Sequence, residues 1–288
     1  MKNKNLIAAI AATTLSTASM ASVFINGTYE GTATDGNPGA STYAQDLDLT
    51  LVGSNDSGTT VTAKFEDLTG GSAVTATQVF VESSIEGISF KGGNYKGQNG
   101  AGLMQASGSV TNQFEVGFDV AGSGITVAQA SGDGNATVDA SLDLAGVSIK
   151  VQDVAESTRY VTASTTVGGL EVNVERQATA TGTNTAGSIG ATVGGLNLTG
   201  VYIDVNDATG VTQDDGILGD ISDASNGKTV TGVVASTDTT LGTVTGKFVT
   251  KNELDTYTAE VERGVWTFGH SKTENADGVT TAKIKVTF

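Results

Sequence analysis

Residues 46–51 read Asp-Leu-Asp-Leu-Thr-Leu, a strict alternation of polar and apolar side chains. Successive side chains of an extended strand point to opposite faces, so the three leucines share one face and the polar residues share the other. The same period of two recurs at 114–120, 137–144, 147–151, 170–174 and 257–261. Valine and threonine are frequent in the chain, and no segment has the apolar stripe and end caps of an amphipathic helix. The sequence therefore predicts an all-β fold.

Short and long connections alternate between these strands. Gly, Asn and Asp, the residues of tight hairpin turns, mark eight short turns at 54–57, 85–87, 121–124, 145–146, 168–169, 194–195, 239–242 and 262–264. Longer linkers separate the hairpins at 33–42, 92–111, 178–184 and 206–227. Tight turns at one end and loops at the other are typical of a closed, antiparallel, up-and-down transmembrane β-barrel. Eight hairpins with a first and a last strand predict eighteen strands, or sixteen if one weak pair is not a hairpin.

The composition excludes several classes of protein. The 288 residues include no Cys and one His, so disulfide scaffolds, cysteine-based zinc sites, thiol nucleophiles and sites with two imidazoles are ruled out. The formal net charge is −16, and the basic residues are scattered along the chain. Because nucleic-acid binding requires clustered Lys and Arg, we expect no nucleic-acid partner.

Residues 1–21 have the organisation of an export signal. Lys2 and Lys4 precede an apolar run at 6–15, and a stretch of small residues follows and ends at Ala21. The run is about half of the ~20 apolar residues that a membrane-spanning helix requires. We therefore expect a signal peptide over 1–21 and a single barrel domain over 22–288.

The last strand ends on an aromatic residue. Residues 280–288 read Thr-Thr-Ala-Lys-Ile-Lys-Val-Thr-Phe, which places Ile284, Val286 and the terminal Phe288 on one apolar face. This ending resembles the assembly signal of outer-membrane barrel proteins. The resemblance implies that the barrel insertion machinery and outer-membrane lipid are partners.

Three segments narrow this resemblance to the general diffusion porins of Gram-negative bacteria. Residues 22–30 (Ser-Val-Phe-Ile-Asn-Gly-Thr-Tyr-Glu) resemble the opening strand of that family, and residues 49–58 resemble its second strand and first turn. Residues 78–92 resemble the hairpin that leads into its constriction loop. The resemblance implies export to the outer membrane, a homotrimer with the first and last strands at the interface, and a loop after the fifth strand that narrows the lumen.

The corresponding loop in this chain spans 93–111 and departs from the family in its charge. It contains no Asp or Glu and does contain Lys96, whereas the family's loops carry acids that face a basic wall. The family's sixteen strands also differ from the eighteen counted above. The residues predicted to form the constriction are Lys91, Asn94, Tyr95, Lys96, Gln98, Asn99 and Gln105.

The polar faces of the alternating strands predict an acidic lumen wall. We expect passive diffusion of small hydrophilic solutes and ions, with a weak preference for cations, because carboxylates that line a pore attract cations. The residues of this wall are Asp46, Asp48, Glu115, Asp119, Asp139, Asp143, Glu171 and Glu175.

Other chemistry is weakly indicated. His270 and Ser271 are adjacent but lack a further acid–base group, so no enzyme is predicted and His270 is expected in the lumen or at its rim. The long loop 204–227 is acidic, and two interpretations of it remain open: a solvated loop, which is the default, and a calcium site. The candidate ligands for calcium are Asp204, Asp207, Asp214 and Asp215. No other cofactor is expected.

Aromatic residues leave a second function open. Tyr29, Tyr257, Trp266, Phe268 and Phe288 suit the aromatic girdles at the two lipid boundaries, although they are few for a large barrel. The alternative is a secreted β-rich surface or adhesin-like structural protein.

Overall fold

The computed structural model describes residues 20–36, 41–69, 75–98, 103–104, 107–131, 136–154, 158–208, 217–219, 221 and 224–288. These residues form eighteen antiparallel strands. The strands are β1 (Met20–Gly36), β2 (Thr42–Asn55), β3 (Thr60–Phe65), β4 (Gln78–Ile85), β5 (Ile88–Gln98), β6 (Ser107–Val120), β7 (Ser123–Ala130), β8 (Thr137–Leu144), β9 (Val147–Gln152), β10 (Arg159–Val167), β11 (Leu170–Ala178), β12 (Thr183–Val193), β13 (Leu196–Val205), β14 (Lys228–Thr239), β15 (Gly242–Lys251), β16 (Leu254–Arg263), β17 (Trp266–Thr273) and β18 (Val279–Thr287).

The sheet closes into a barrel because each strand pairs with its neighbours in the chain and β1 also pairs with β18. At the seam, Gly27 donates its amide to the Phe288 carbonyl at 2.8 Å, and the Phe288 amide donates to the Gly27 carbonyl at 3.0 Å. Closure removes the unpaired edges that an open sheet would expose. The predicted closed antiparallel barrel is confirmed, with the higher of the two predicted strand numbers and not the sixteen of the family it resembles. No helix among the described residues is both long and apolar enough to span a membrane.

The eight predicted short turns all lie at one end of the barrel, named here the turn end, where β1 begins and β18 ends. Gly168 and Gly169 have φ of 59° and 82°, and Ala145 has φ of 50°. Positive φ at both central positions makes a type I′ turn, whose twist matches that of the paired strands. The opposite end, the loop end, carries the connections 37–41, 66–77, 99–106, 131–136, 153–158, 179–182, 206–227, 252–253 and 274–278.

Candidate functional site

One contact identifies the inner face of the barrel. The backbone amides of Leu103 and Met104, between β5 and β6, donate to Oε2 of Glu175 on β11 at 3.1 and 3.4 Å. Five strands, β6 to β10, lie between β5 and β11 on the shorter way around the barrel, so this connection reaches Glu175 through the interior. The face of each strand that is in register with Glu175 therefore lines the lumen.

The opposite face carries an exposed apolar belt. Its members point away from the lumen by the pairing register, and many are largely exposed; Val193, for example, is 65% exposed. Such an extended apolar surface is unusual for a protein in water and indicates contact with a membrane or a partner. The belt includes Val79, Val81, Ile85, Phe114, Phe118, Leu142, Leu144, Val161, Val167, Val174, Ile189, Val193, Leu198, Val233 and Phe248.

The predicted girdle aromatics also point outward. Trp266 and Phe268 stack with their ring centroids 6.2 Å apart, and Phe248 and Tyr257 lie 5.0 Å apart. The Phe288 ring covers Gly27 of β1, where an added Cβ would overlap it. The Phe288 ring thus packs against the outer surface of β1 at the seam, in addition to the predicted role of Phe288 as an assembly signal.

The register places the eight residues of the predicted acidic wall on the inner face. Several of them also hold local structure: the Asp119 carboxylate accepts the Gly122 amide at 2.9 Å, and the Asp139 carboxylate accepts the Asp153 amide at 2.9 Å. Glu175 differs from the others because it is fully buried beneath the docked loop, so its carboxylate does not line open water. Further inner acids are Glu30, Glu82, Asp238, Glu260 and Glu262, and inner lysines are Lys64, Lys91, Lys150, Lys228, Lys247, Lys251, Lys283 and Lys285.

Lys91 is held between rings and carboxylates on the lumen wall. Its Nζ lies 3.0 Å from Glu82 Oε1, 4.4 Å from the Phe80 ring centroid and 4.5 Å from that of Tyr95. The Tyr95 hydroxyl donates to Glu115 at 3.4 Å. Lys91 and Glu82 therefore neutralise each other, and the pair adds no net charge to the lumen wall. Beside it lies a polar recess of about 300 Å³ that Asp139 and Lys150 also line.

The loop after β5 does enter the lumen, and it is anchored by apolar side chains. Leu103 and Met104 are 4% and 0% exposed and belong to a cluster with inward residues of the opposite wall. Those wall residues are Ala186, Val201, Ile203, Val205, Val230 and Val249. Sequence reasoning missed this anchor, although β13 carries a signal, since Val201, Ile203 and Val205 make its inner face apolar.

The long connection 206–227 packs on the same patch. Leu218, Ile221 and Ala224 are buried in the cluster, and the Leu218 side chain lies over Gly232, where a Cβ would come within 2.5 Å of it. Two connections from different parts of the chain therefore fill the lumen on the side of β12–β15 at the loop end, and any passage runs along the remaining wall.

Buried polar side chains continue this filled region on β9–β12. Gln177 donates to the Tyr160 hydroxyl at 2.9 Å, and Asn184 donates to Gln177 Oε1 at 2.7 Å. Asn184 Oδ1 in turn accepts the amides of Asn206 and Asp207 at 2.8 and 2.7 Å. This network fixes the start of the long connection to the wall.

The structure corrects the extent of the predicted constriction loop. Strand pairing continues to Gln98, opposite Ser107, so the connection is 99–106 and not 93–111. Asn94 lies within β5, in register with Val79 and Asn112 on the outward face, and Lys96, in register with Val110, lies on that same face. By register, neither side chain points into the constriction. Asn99 and Gln105 lie outside the described residues.

The two proposed calcium ligands that the structure describes do not converge. Asp204 belongs to β13 and, by its pairing with Thr185, points outward, where it accepts a 3.3 Å bond from Asn206. Asp207 is buried and accepts the hydroxyls of Thr179 and Thr181, both at 2.5 Å. Asp214 and Asp215 lie outside the described residues, and no group of three metal-ligating side chains occurs within them.

His270 and Ser271 point to opposite faces. His270 is outward and contacts the Thr280 hydroxyl at 3.0 Å, while Ser271 is inward and contacts Thr258. They cannot act as a catalytic pair, and the expected position of His270 in the lumen or at its rim is wrong.

The comparisons with known proteins show a similarity of fold. No family model and no curated protein matches the chain. Pseudomonas aeruginosa OccK2 (OpdF) superposes with a TM-score of 0.63 at 12% identity, covering 94% of this chain and 99% of OpdF. A second structure of OpdF, in complex with glucuronate, gives 0.60 at 10% identity and covers 92% and 98%. A mutant porin of Rhodobacter blastica gives 0.55 at 11% identity, covering 93% and 100%. The chain therefore has the barrel fold of these porins.

Proposed function

We propose that the chain forms a water-filled channel in the outer membrane of a Gram-negative bacterium, through which small hydrophilic solutes and ions diffuse passively. The observation that carries this proposal is the separation of the two faces: an exposed apolar belt outside and charged, hydroxyl-rich side chains inside a closed barrel. A barrel in lipid must satisfy every backbone group internally and present apolar side chains to the acyl chains.

The direct test is conductance in planar bilayers. Purified protein should insert and give stable ionic currents at moderate voltage. Absence of current at all voltages, together with failure to partition into detergent from outer membranes, would favour the secreted surface protein instead.

The solute class follows from the lumen and from one structural neighbour. The lining offers carboxylates, ammonium groups and hydroxyls, and the described residues provide no catalytic set, so we propose transport without chemistry. The glucuronate complex of OpdF supports a small, hydrophilic cargo. Liposome swelling with sugars of increasing size would measure the limit that the docked loop sets.

A weak cation preference is part of the proposal. Inner carboxylates outnumber inner lysines, and the ion pairs Lys91–Glu82 and Lys283–Glu30 remove one charge of each sign, so the excess of carboxylates remains. Screening reduces this preference as the Debye length falls to about 3 Å at 1 M salt. The reversal potential under a salt gradient should show cation selectivity at low salt; anion selectivity there would mean that the inner lysines, such as Lys150, outweigh the acidic wall.

We also propose that residues 1–21 direct export, that the barrel machinery inserts the chain into the membrane, and that the chain assembles as a homotrimer. The resemblance at the first and last strands supports the trimer, with the seam of β1 and β18 at the interface. The mass in mild detergent tests this, and a monomeric mass would remove the trimer without affecting the channel.

A further inference from the structure

Arginine and lysine are distributed differently between the two faces of the barrel. The three arginines of the chain, Arg159, Arg176 and Arg263, all point outward by register. Most strand lysines point into the lumen, as described above. These outward arginines therefore do not line the channel, and their role lies on the outer surface.

Two of these arginines lie side by side. Arg159 pairs with Ala178 and Arg176 pairs with Val161, so the two arginines are diagonal neighbours on β10 and β11. Residues at such positions lie about 7–8 Å apart, within reach of each other's long side chains. Both are exposed, and neither makes an ion pair or hydrogen bond with a residue that the structure describes. Within the described part of the chain, the pair is therefore an uncompensated double positive charge.

Asp204, the outward acid nearest to the two arginines in register, does not neutralise their charge. Arg176, Thr185 and Asp204 form one row across β11, β12 and β13. Two strand spacings, roughly 10 Å, separate Asp204 from Arg176, and Asp204 already accepts a bond from Asn206. Thr185, which lies between them, adds an exposed hydroxyl beside Arg176.

The position of the pair along the barrel indicates its ligand. Directly towards the turn end lie Val161 and Val174, which are 43% and 53% exposed and belong to the apolar belt. The guanidinium groups thus sit at the loop-end boundary of the belt. In outer-membrane barrels the long loops are extracellular, so this boundary meets the headgroups of the outer leaflet.

We propose that Arg159 and Arg176 bind the phosphate group of a phosphorylated outer-leaflet lipid. Guanidinium groups match phosphate oxygens in bidentate geometry, which an ammonium group cannot do, and this explains why arginine occupies these sites. The inference rests on the proposed membrane location but not on which solutes pass through the lumen.

Native mass spectrometry of the detergent-solubilised protein with bisphosphorylated lipid A tests the site. The wild type should bind this lipid, and the same lipid after phosphatase treatment should bind at least tenfold more weakly. The double variant R159Q/R176Q should bind the phosphorylated lipid about 30-fold more weakly, from the contribution of two basic residues near a phosphate-bearing surface. R159K/R176K should recover only part of the loss. The control is R263Q, an outward arginine at the turn end, which should bind like the wild type.

Three outcomes would overturn the site: equal binding of the two lipids, undiminished binding by R159Q/R176Q, or an equal loss in R263Q. Inorganic phosphate at millimolar concentration is added in a separate arm, and full competition by it would assign the pair to a free anion instead of a lipid. Planar-bilayer conductance of each variant separates this inference from the proposed function. Loss of lipid binding by R159Q/R176Q with normal conductance supports the site, whereas a non-conducting wild type that still binds the lipid removes only the channel.

Discussion

The docked loop between β5 and β6 should control the size of the open channel, and Glu175 holds it. Replacing Glu175 with Gln keeps the shape of the side chain and removes its charge. Hydrogen bonds to a charged group contribute about 1.5–3 kcal/mol, and those between neutral groups about 0.5–1.5 kcal/mol. E175Q should therefore weaken docking by about 1 kcal/mol or more, which is a roughly fivefold or larger shift towards the undocked loop. Truncation of the buried Met104 to Ala should cost more, about 2–5 kcal/mol.

Single-channel recording measures this shift. An undocked loop widens the lumen intermittently, so E175Q should show larger current noise, and M104A should show a higher mean conductance as well. The matched control is E171Q, which removes a carboxylate from the same inner face of β11 nearer the turn end, away from the loop contact. Heat-modifiable migration on a gel checks that each variant forms a barrel. If E175Q and M104A conduct like E171Q and the wild type, the loop does not limit the channel and the reasoning is refuted.

Three further predictions concern the seam, a turn and an ion pair. Deleting Phe288 should slow assembly and lower the fraction of heat-modifiable barrel, because it removes both the terminal aromatic and the backbone pair with Gly27. The control G27A displaces the Phe288 ring alone and should have a smaller effect. Normal assembly of the truncation would contradict the role of Phe288. A145N should stabilise the barrel by a few tenths of a kcal/mol to about 1 kcal/mol, since Asn tolerates the left-handed φ of 50° at Ala145 better than Ala does. A lower unfolding midpoint of A145N in urea would count against this prediction. The hydrogen bond and charge of Lys228, 2.5 Å from Glu253 at the loop end, hold the pKa of Glu253 below its ordinary value of 4.5. A lowered carboxyl pKa contributes stability that is present above the ordinary value and is lost as the pH falls through the lowered one; NMR titration should find the Glu253 midpoint below 4.5 and moving towards it in K228M.

Much of the fold follows from local sequence. The period of two around Asp46–Leu51 and the glycine-rich turns such as 168–169 predict strands and hairpins, because backbone alternation and positive φ are properties of neighbouring residues. Counting the short turns predicted a closed barrel of sixteen or eighteen strands, and the structure has eighteen. The same local rule also grouped the acidic side chains on one face.

Local rules were less reliable where strands end. Residues 93–98 contain two glycines, two amides and Lys96 and were predicted as loop, yet backbone pairing with β6 holds them in β5. Asp204 was likewise predicted to lie in the long connection but belongs to β13. The composition at these positions suggests a turn, whereas pairing with a strand elsewhere in the chain decides the structure.

The sequence alone determined the period, the turns and therefore the closed barrel, whereas the tertiary structure decided what fills its lumen. Leu103 reaches Glu175 across 72 positions of sequence, and Leu218 covers Gly232 from a connection that looked merely acidic. Lys91 is compensated by Glu82 and two rings, and Arg159 and Arg176 become neighbours on the outer face through strand register. Each of these contacts depends on closure, because only a closed barrel brings wall residues that are distant along the chain within reach of one loop, and no periodicity within a single segment contains that information.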